Sequence, residues 1–184
     1  AQPITVNFLK KNFADYSENN NVHIRGFVED MGAMFGYCFD LTYLDVSKWD
    51  TGSVKSFKAM FQGKSNQGNM KISNLDVSNW DVSKVKDMMY MFKDCKSLSD
   101  ISALGDWDVS NVTTARKMLY GCRSLEDISA LKNWNVSSMK DMEWMFRDCI
   151  SIVDVNPLMN WNVSCVENMN SMFRGCRSLV DVGG

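Results

Sequence analysis

Four tryptophans, Trp80, Trp107, Trp134 and Trp161, recur every 27 residues, and four cysteines, Cys95, Cys122, Cys149 and Cys176, keep the same interval. Two unrelated residue types locked to one period define tandem repeats, and a period of about 20–50 residues belongs to a stacked array, not to a globule around one central core. Each unit of such an array touches only its neighbours and offers a long ridged surface in place of a deep cleft. The period therefore favours binding over catalysis.

With the tryptophan as position zero, apolar residues follow at +5, +8 and +11: Val85, Met88 and Met91; Val112, Ala115 and Met118; Met139, Met142 and Met145; Val166, Met169 and Met172. A bulky residue, Phe92, Leu119, Phe146 or Phe173, stands at +12. An earlier unit starts at Trp49, with Val54, Phe57, Met60 and Phe61 in the same places. Met34-Phe35 implies a sixth unit whose zero position is His23, the one histidine of the chain. The units thus start near residues 23, 49, 80, 107, 134 and 161. The repeats occupy 22–184, and residues 1–21, with Phe8, Leu9 and Phe13, are expected to cap them. The unit from Trp49 is four residues longer, the excess falling in the polar stretch 63–69, where Lys64 replaces the cysteine.

The +5, +8, +11, +12 spacing predicts a helix of about two turns in each unit. Ser83, Ser110, Ser137 and Ser164 stand where an N-cap would stand. Trp107-Asp108-Val109 alternates as a short strand does, and the stretch Leu98–Leu104 is expected to return in extended form. The resulting fold class is an α/β solenoid of about six strand–short helix turns.

Composition narrows the function. The formal charge of −2 lacks the basic surplus of a nucleic-acid reader. No run of 18 apolar residues could span a bilayer, and the start AQPITVNFLKKNF shows no signal peptide. The last residues stop inside a repeat, as expected of a piece of a longer array. One histidine, no Cys-x-x-Cys pair and no glycine-rich phosphate loop leave catalysis, metal and cofactor without candidate residues, so a non-enzyme with no cofactor is expected. The ladder cysteines, with Cys38 at the same position, are expected as buried free thiols, and Cys165, off the ladder, as the exposed one. The tryptophans are expected in the core, their indole N–H groups partnered there. Asp100, Asp127, Asp154 and Asp181 form a row of like charges about 5 Å apart, expected to be stabilised by backbone N–H groups and solvated pairing with the basic row, with a bound cation such as calcium as the minor alternative.

The string Trp107-Asp108-Val109-Ser110-Asn111-Val112, followed by Met118-Leu119-Tyr120-Gly121-Cys122-Arg123-Ser124-Leu125, resembles the leucine-rich-like repeats of BspA-type bacterial surface proteins and mycoplasma-type surface lipoproteins. The resemblance covers roughly residues 22–182. It implies a right-handed, leucine-rich-repeat-like array on a cell-surface or secreted protein, with adhesion or protein binding as its role and no catalytic residues. The expected contact surface is the row Asp50, Asp81, Asp108, Asn135 and Asn162, with Lys48 and Asn79 beside it. The expected partner is a protein or host-surface ligand, without nucleic acid and without membrane insertion. A stalk projecting another domain and an intracellular interaction scaffold are the alternatives.

Overall fold

A computed structural model describes residues 28–64, 70–73 and 75–180. The expected cap at 1–21, His23, Asp181 and the loop residues 65–69 lie outside them. Successive repeats, hereafter rungs, stack in parallel. Isolated bridges link Asp30 to Ser56, Ser56 to Asp87, Asp87 to Thr114, Thr114 to Asp141 and Asp141 to Asn168, all at position +7.

The α/β expectation is overturned. Among the described residues there is no α-helix and no strand; the regular structure is isolated bridges and three short 3₁₀ segments at Ser102–Leu104, Ser129–Asn133 and Asn156–Leu158. The assignment was also inverted along the chain. The bridges fall where the apolar spacing predicted helix, and the 3₁₀ segments fall where an extended return was expected.

The reason lies in the backbone. A spacing of three serves a chain of tight turns as well as it serves a helix. In the rung of Trp80, Met91 N–H donates to Met88 O, Lys93 N–H to Tyr90 O and Cys95 N–H to Phe92 O, at 3.0–3.2 Å. The N–H groups between them point to the next rung: Met88 to Thr114 O, Tyr90 to Arg116 O, Phe92 to Met118 O and Asp94 to Tyr120 O, at 2.7–3.1 Å. Alternate donors thus serve the local turn and the stack, so the backbone is satisfied without a helix. Left-handed residues enforce this. Position +10 has positive φ at Ala33, Ala59, Tyr90, Lys117, Trp144 and Ser171, and position +14 at Tyr37, Asp94, Gly121, Asp148 and Gly175. A right-handed helix cannot pass through such residues.

The serines expected to cap helices close Asx turns instead: Ser83 N–H donates to Asp81 Oδ1 at 2.9 Å and Ser137 N–H to Asn135 Oδ1 at 3.2 Å.

Stacking makes the core. The +5, +8 and +11 residues of the inner rungs are sealed, and stacking is what seals them: Met142 is 0% exposed, whereas its equivalent Met169, in the last described rung, is 40% exposed. Trp49, Trp80, Trp107, Trp134 and Trp161 are buried, with ring centroids 5.9 Å (Trp49–Trp80), 6.3 Å (Trp80–Trp107) and 6.5 Å (Trp134–Trp161) apart. The indole Nε1–H groups of Trp80, Trp107, Trp134 and Trp161 donate to the carbonyl three residues before the preceding ladder tryptophan, namely Val46, Val77, Leu104 and Leu131, at 2.8–3.1 Å. The ladder cysteines Cys95, Cys122, Cys149 and Cys176 are buried and free. Their Sγ atoms lie 3.0–3.3 Å from the carbonyls of Phe61, Phe92, Leu119 and Phe146. Cys165 is exposed and Cys38 half-buried.

Candidate functional site: an aromatic and cationic face

Side chains at three positions on the face carrying the bridges vary from rung to rung in a coordinated way. Position +10 reads Ala59, Tyr90, Lys117, Trp144, Ser171; position +13 reads Gln62, Lys93, Tyr120, Arg147, Arg174; position +14 reads Gly63, Asp94, Gly121, Asp148, Gly175. The rungs of Trp80 and Trp134 share one pattern, aromatic, cation, aspartate. The rung of Trp107 between them has its complement: cation, aromatic, glycine.

The two patterns interlock. Lys117 Nζ lies 5.3 Å from the Tyr90 ring centre and 4.2 Å from that of Trp144. Lys93 Nζ and the Arg147 guanidinium lie 5.4 and 5.9 Å from the Tyr120 ring centre, and Arg147 also lies 4.4 Å from that of Trp144. Lys93 pairs with the buried carboxylate of Asp94. Arg147 Nε sits 3.5 Å from Asp148 Oδ2, and Arg116 Nη2 sits 2.7 Å from Glu143 Oε2. Burial, with the adjacent Asp148 carboxylate, pushes the Tyr120 hydroxyl above its ordinary pKa. All six ladder side chains are half-buried, so the face is fixed in place yet reachable.

Magnitudes show what this arrangement does for the fold. A left-handed non-glycine residue costs about 1–2 kcal/mol. A partly exposed cation–π contact returns about 0.5–1 kcal/mol. Tyr90, Lys117 and Trp144 all have φ between 54° and 61°. The cation–π contacts therefore offset part of the left-handed strain at these positions.

The row expected as the contact surface is exposed throughout: Asp50, Asp81, Asp108, Asn135, Asn162, Lys48 and Asn79. One side-chain oxygen of each of Asp50, Asp81, Asp108, Asn135 and Asn162, however, is already engaged. Each accepts the backbone N–H two residues on, from Gly52, Ser83, Ser110, Ser137 and Ser164, at 2.9–3.2 Å. The hydroxyl and N–H of Ser83 hold the Asp81 carboxyl below its ordinary pKa. Asp100, Asp127 and Asp154 make the same kind of turn, accepting the backbone N–H of Ser102, Ser129 and Asn156 at 2.7–2.8 Å. That is the backbone stabilisation their repulsion called for. Asp100 and Asp127, with Ser102 and Ser129, help to line a shallow open groove of about 480 Å³. Among the described residues no group of three or more histidines, cysteines or carboxylates is placed to hold a metal ion.

A family model described as "Mycoplasma protein of unknown function, DUF285" matches residues 7–104 and again residues 99–182. The chain belongs to this family. The two matches fall on the tandem repeats, in keeping with a mycoplasma-type repeat family. No curated protein and no solved structure matches the chain.

In the sequence, Lys93, Arg147 and Arg174 align at +13 as a row of like charges interrupted by Tyr120. The signal for the interlocked face was available as a second period, two repeats long, at +10, +13 and +14. It is visible only when the rungs are compared by alternate units.

Proposed function

We propose that this chain is a non-catalytic recognition module, of the BspA-like and surface-lipoprotein kind, displayed at a cell surface or secreted. It holds a protein or host-surface ligand against the face of Tyr90, Lys93, Lys117, Tyr120, Trp144 and Arg147. One observation carries this reading: bulky aromatic and cationic side chains occupy left-handed positions, half-buried and locked to one another by cation–π contacts, so a fixed set of aromatic and cationic edges is presented outward. Aromatic and arginine side chains held rigid by their neighbours are also the usual anchors of protein interfaces.

The test is adhesion of labelled protein to epithelial monolayers and to plates coated with extracellular-matrix protein. Tyr90→Ala with Trp144→Ala should abolish retention while leaving the circular dichroism spectrum unchanged. Retention lost only on alanine substitution of Asp50, Asp81, Asp108, Asn135 and Asn162 would move the site to that row. No retention of the parent chain on either surface would favour a spacer, a reading that the continuous rung-to-rung hydrogen bonding supports in its own right.

A further inference from the structure

Every junction between described rungs is made by the same four backbone hydrogen bonds. The N–H groups at +8, +10, +12 and +14 of one rung donate to the carbonyls at +7, +9, +11 and +13 of the next, at 2.6–3.1 Å through all five junctions. The two ends of the stack are therefore opposite in kind. In the last described rung the N–H groups of Met169, Ser171, Phe173 and Gly175 have no acceptor, and in the first the carbonyls of Asp30, Gly32, Met34 and Gly36 have no donor. One end, the tail, is a row of four donors. The other, the head, is a row of four acceptors at the same spacing. The tail also leaves apolar surface open beside Met169: Val163 is 39% exposed, against 1% for Val136 one rung earlier.

We propose that these ends join, so that copies of this chain stack head to tail and the rung-to-rung ladder runs on from one copy into the next. The tail needs carbonyls at every second residue, and the head supplies them in the parallel register of the five internal junctions. A tail-to-tail pair would set donors against donors and bury them unmet, which is costly. The column at +14 points the same way. It reads Tyr37, Gly63, Asp94, Gly121, Asp148, Gly175, so a side chain stands against a glycine at every junction. Gly175 followed by Tyr37 of a second copy continues that order without a break. Met31 in the head is sealed, so the head brings its backbone edge and the tail brings the apolar surface. One contact opposes the joint. At +6, Lys55 faces Glu29 at 2.7 Å and Lys140 faces Glu167 at 3.5 Å, whereas the joint would set Glu167 against Glu29 of the next copy. Because such a joint is heterologous, it leaves a head and a tail open for further copies. The inference does not rest on the recognition reading above; assembly would repeat that face along the array.

Sedimentation velocity of the parent chain over a wide range of concentration should show species that grow with concentration. Val163→Lys with Met169→Lys, both exposed side chains, puts cations on the tail edge and removes its apolar cover. This variant should associate about tenfold more weakly or less still, with an unchanged circular dichroism spectrum. Glu167→Lys should associate more tightly, because position 167 meets Glu29 only in this register. Direction is read by cross-linking. Asp30→Cys and Asn168→Cys, each in a Cys165→Ser chain, would stand opposite one another as the next bridge of the ladder. A short bismaleimide should join the two variants to each other in preference to either with itself. A parent chain that stays monomeric, a Val163→Lys, Met169→Lys chain that assembles as the parent does, a weaker association of Glu167→Lys, or self-joined Asn168→Cys as the main product overturns the proposal. A chain that assembles yet adheres to no surface leaves the proposal standing and favours the spacer; a strict monomer that adheres leaves only the recognition reading.

Discussion

A Cβ atom placed on Gly121 would stand 2.8 Å from Oδ1 of Asp94 in the neighbouring rung. On the other side of Asp94, a Cβ on Gly63 would stand 2.5 Å from the Asp94 backbone oxygen, and a Cβ on Gly175 would collide with the Asp148 carboxylate. Aspartate and glycine therefore alternate at position +14 because each carboxylate occupies the space that the next rung's missing side chain leaves. Gly121 also has φ of +72°. Gly121→Ala meets both obstacles and should cost about 1–3 kcal/mol of stability, measured by urea denaturation. Ala59→Gly is the counter-experiment. It relieves about 1–2 kcal/mol of left-handed strain against about 0.4–1 kcal/mol of added unfolded-state entropy. Ala59→Gly should therefore be neutral or slightly stabilising; a clear loss would show that position +10 is not strained.

The alternation also explains how the sequence was legible and where it was not. The buried Trp, Met and Cys columns were visible because a core position repeats in every rung. The local conformation was not, since Val85, Met88 and Met91 are spaced for a helix and for successive three-residue turns alike. The deciding residues, Tyr90 and Asp94, are not types that announce positive φ as glycine does. The face around Lys117 was hidden for a different reason: its neighbours across the stack, Tyr90 and Trp144, are 27 residues away on either side.

Removing one repeat should therefore do more harm than removing two. Deleting residues 108–134 would set Asp94, 2% exposed, against Asp148, and Lys93 against Arg147. Deleting residues 108–161 would set Asp94 against Gly175 and preserve the alternation. Like charges sharing a desolvated site raise one another's pKa, so the one-repeat deletion should also recover stability on mild acidification, when a carboxylate takes up a proton. Thermal melts at neutral and at mildly acidic pH decide this. A one-repeat deletion that melts well above the two-repeat deletion at neutral pH, as loss of stacking interfaces alone would dictate, would refute the pairing. For separating a spacer from a binding face, the two-repeat deletion is thus the sounder variant.

Thiol chemistry gives a prediction about alkaline pH. Burial, the dominant cause, raises the pKa of Cys95, Cys122 and Cys149 well above the ordinary 9.0 and that of Cys176 to about 11. In the unfolded chain these thiols ionise near their ordinary value. Stability they contribute is present in full below that value and declines as pH rises beyond it, because only the unfolded state releases the protons readily. Denaturant midpoints should be insensitive to these four thiols at neutral pH and fall above pH about 9. A neutral-pH thiol titration of the native chain should show Cys165 reacting first and the four ladder thiols only after unfolding. Immediate reaction of the ladder thiols would show that the column is open to solvent.

The indole ladder offers the sharpest separation of packing from hydrogen bonding. Trp134 Nε1–H donates to Leu104 O at 2.8 Å, and the same oxygen also accepts Trp107 N–H at 3.2 Å. Trp134→Phe removes one donor but leaves the carbonyl a partner. Its hydrogen-bond cost should therefore sit near the ordinary net value of about 1 kcal/mol and not near the penalty for an orphaned buried carbonyl. Trp134→Ala empties the space between neighbouring rungs as well and should cost about 3–5 kcal/mol. Equilibrium unfolding of the two variants measures the difference directly. Near-equal losses would mean that the column holds the stack through its N–H groups, and that the stacked rings of Trp134 and Trp161 contribute little beyond positioning them.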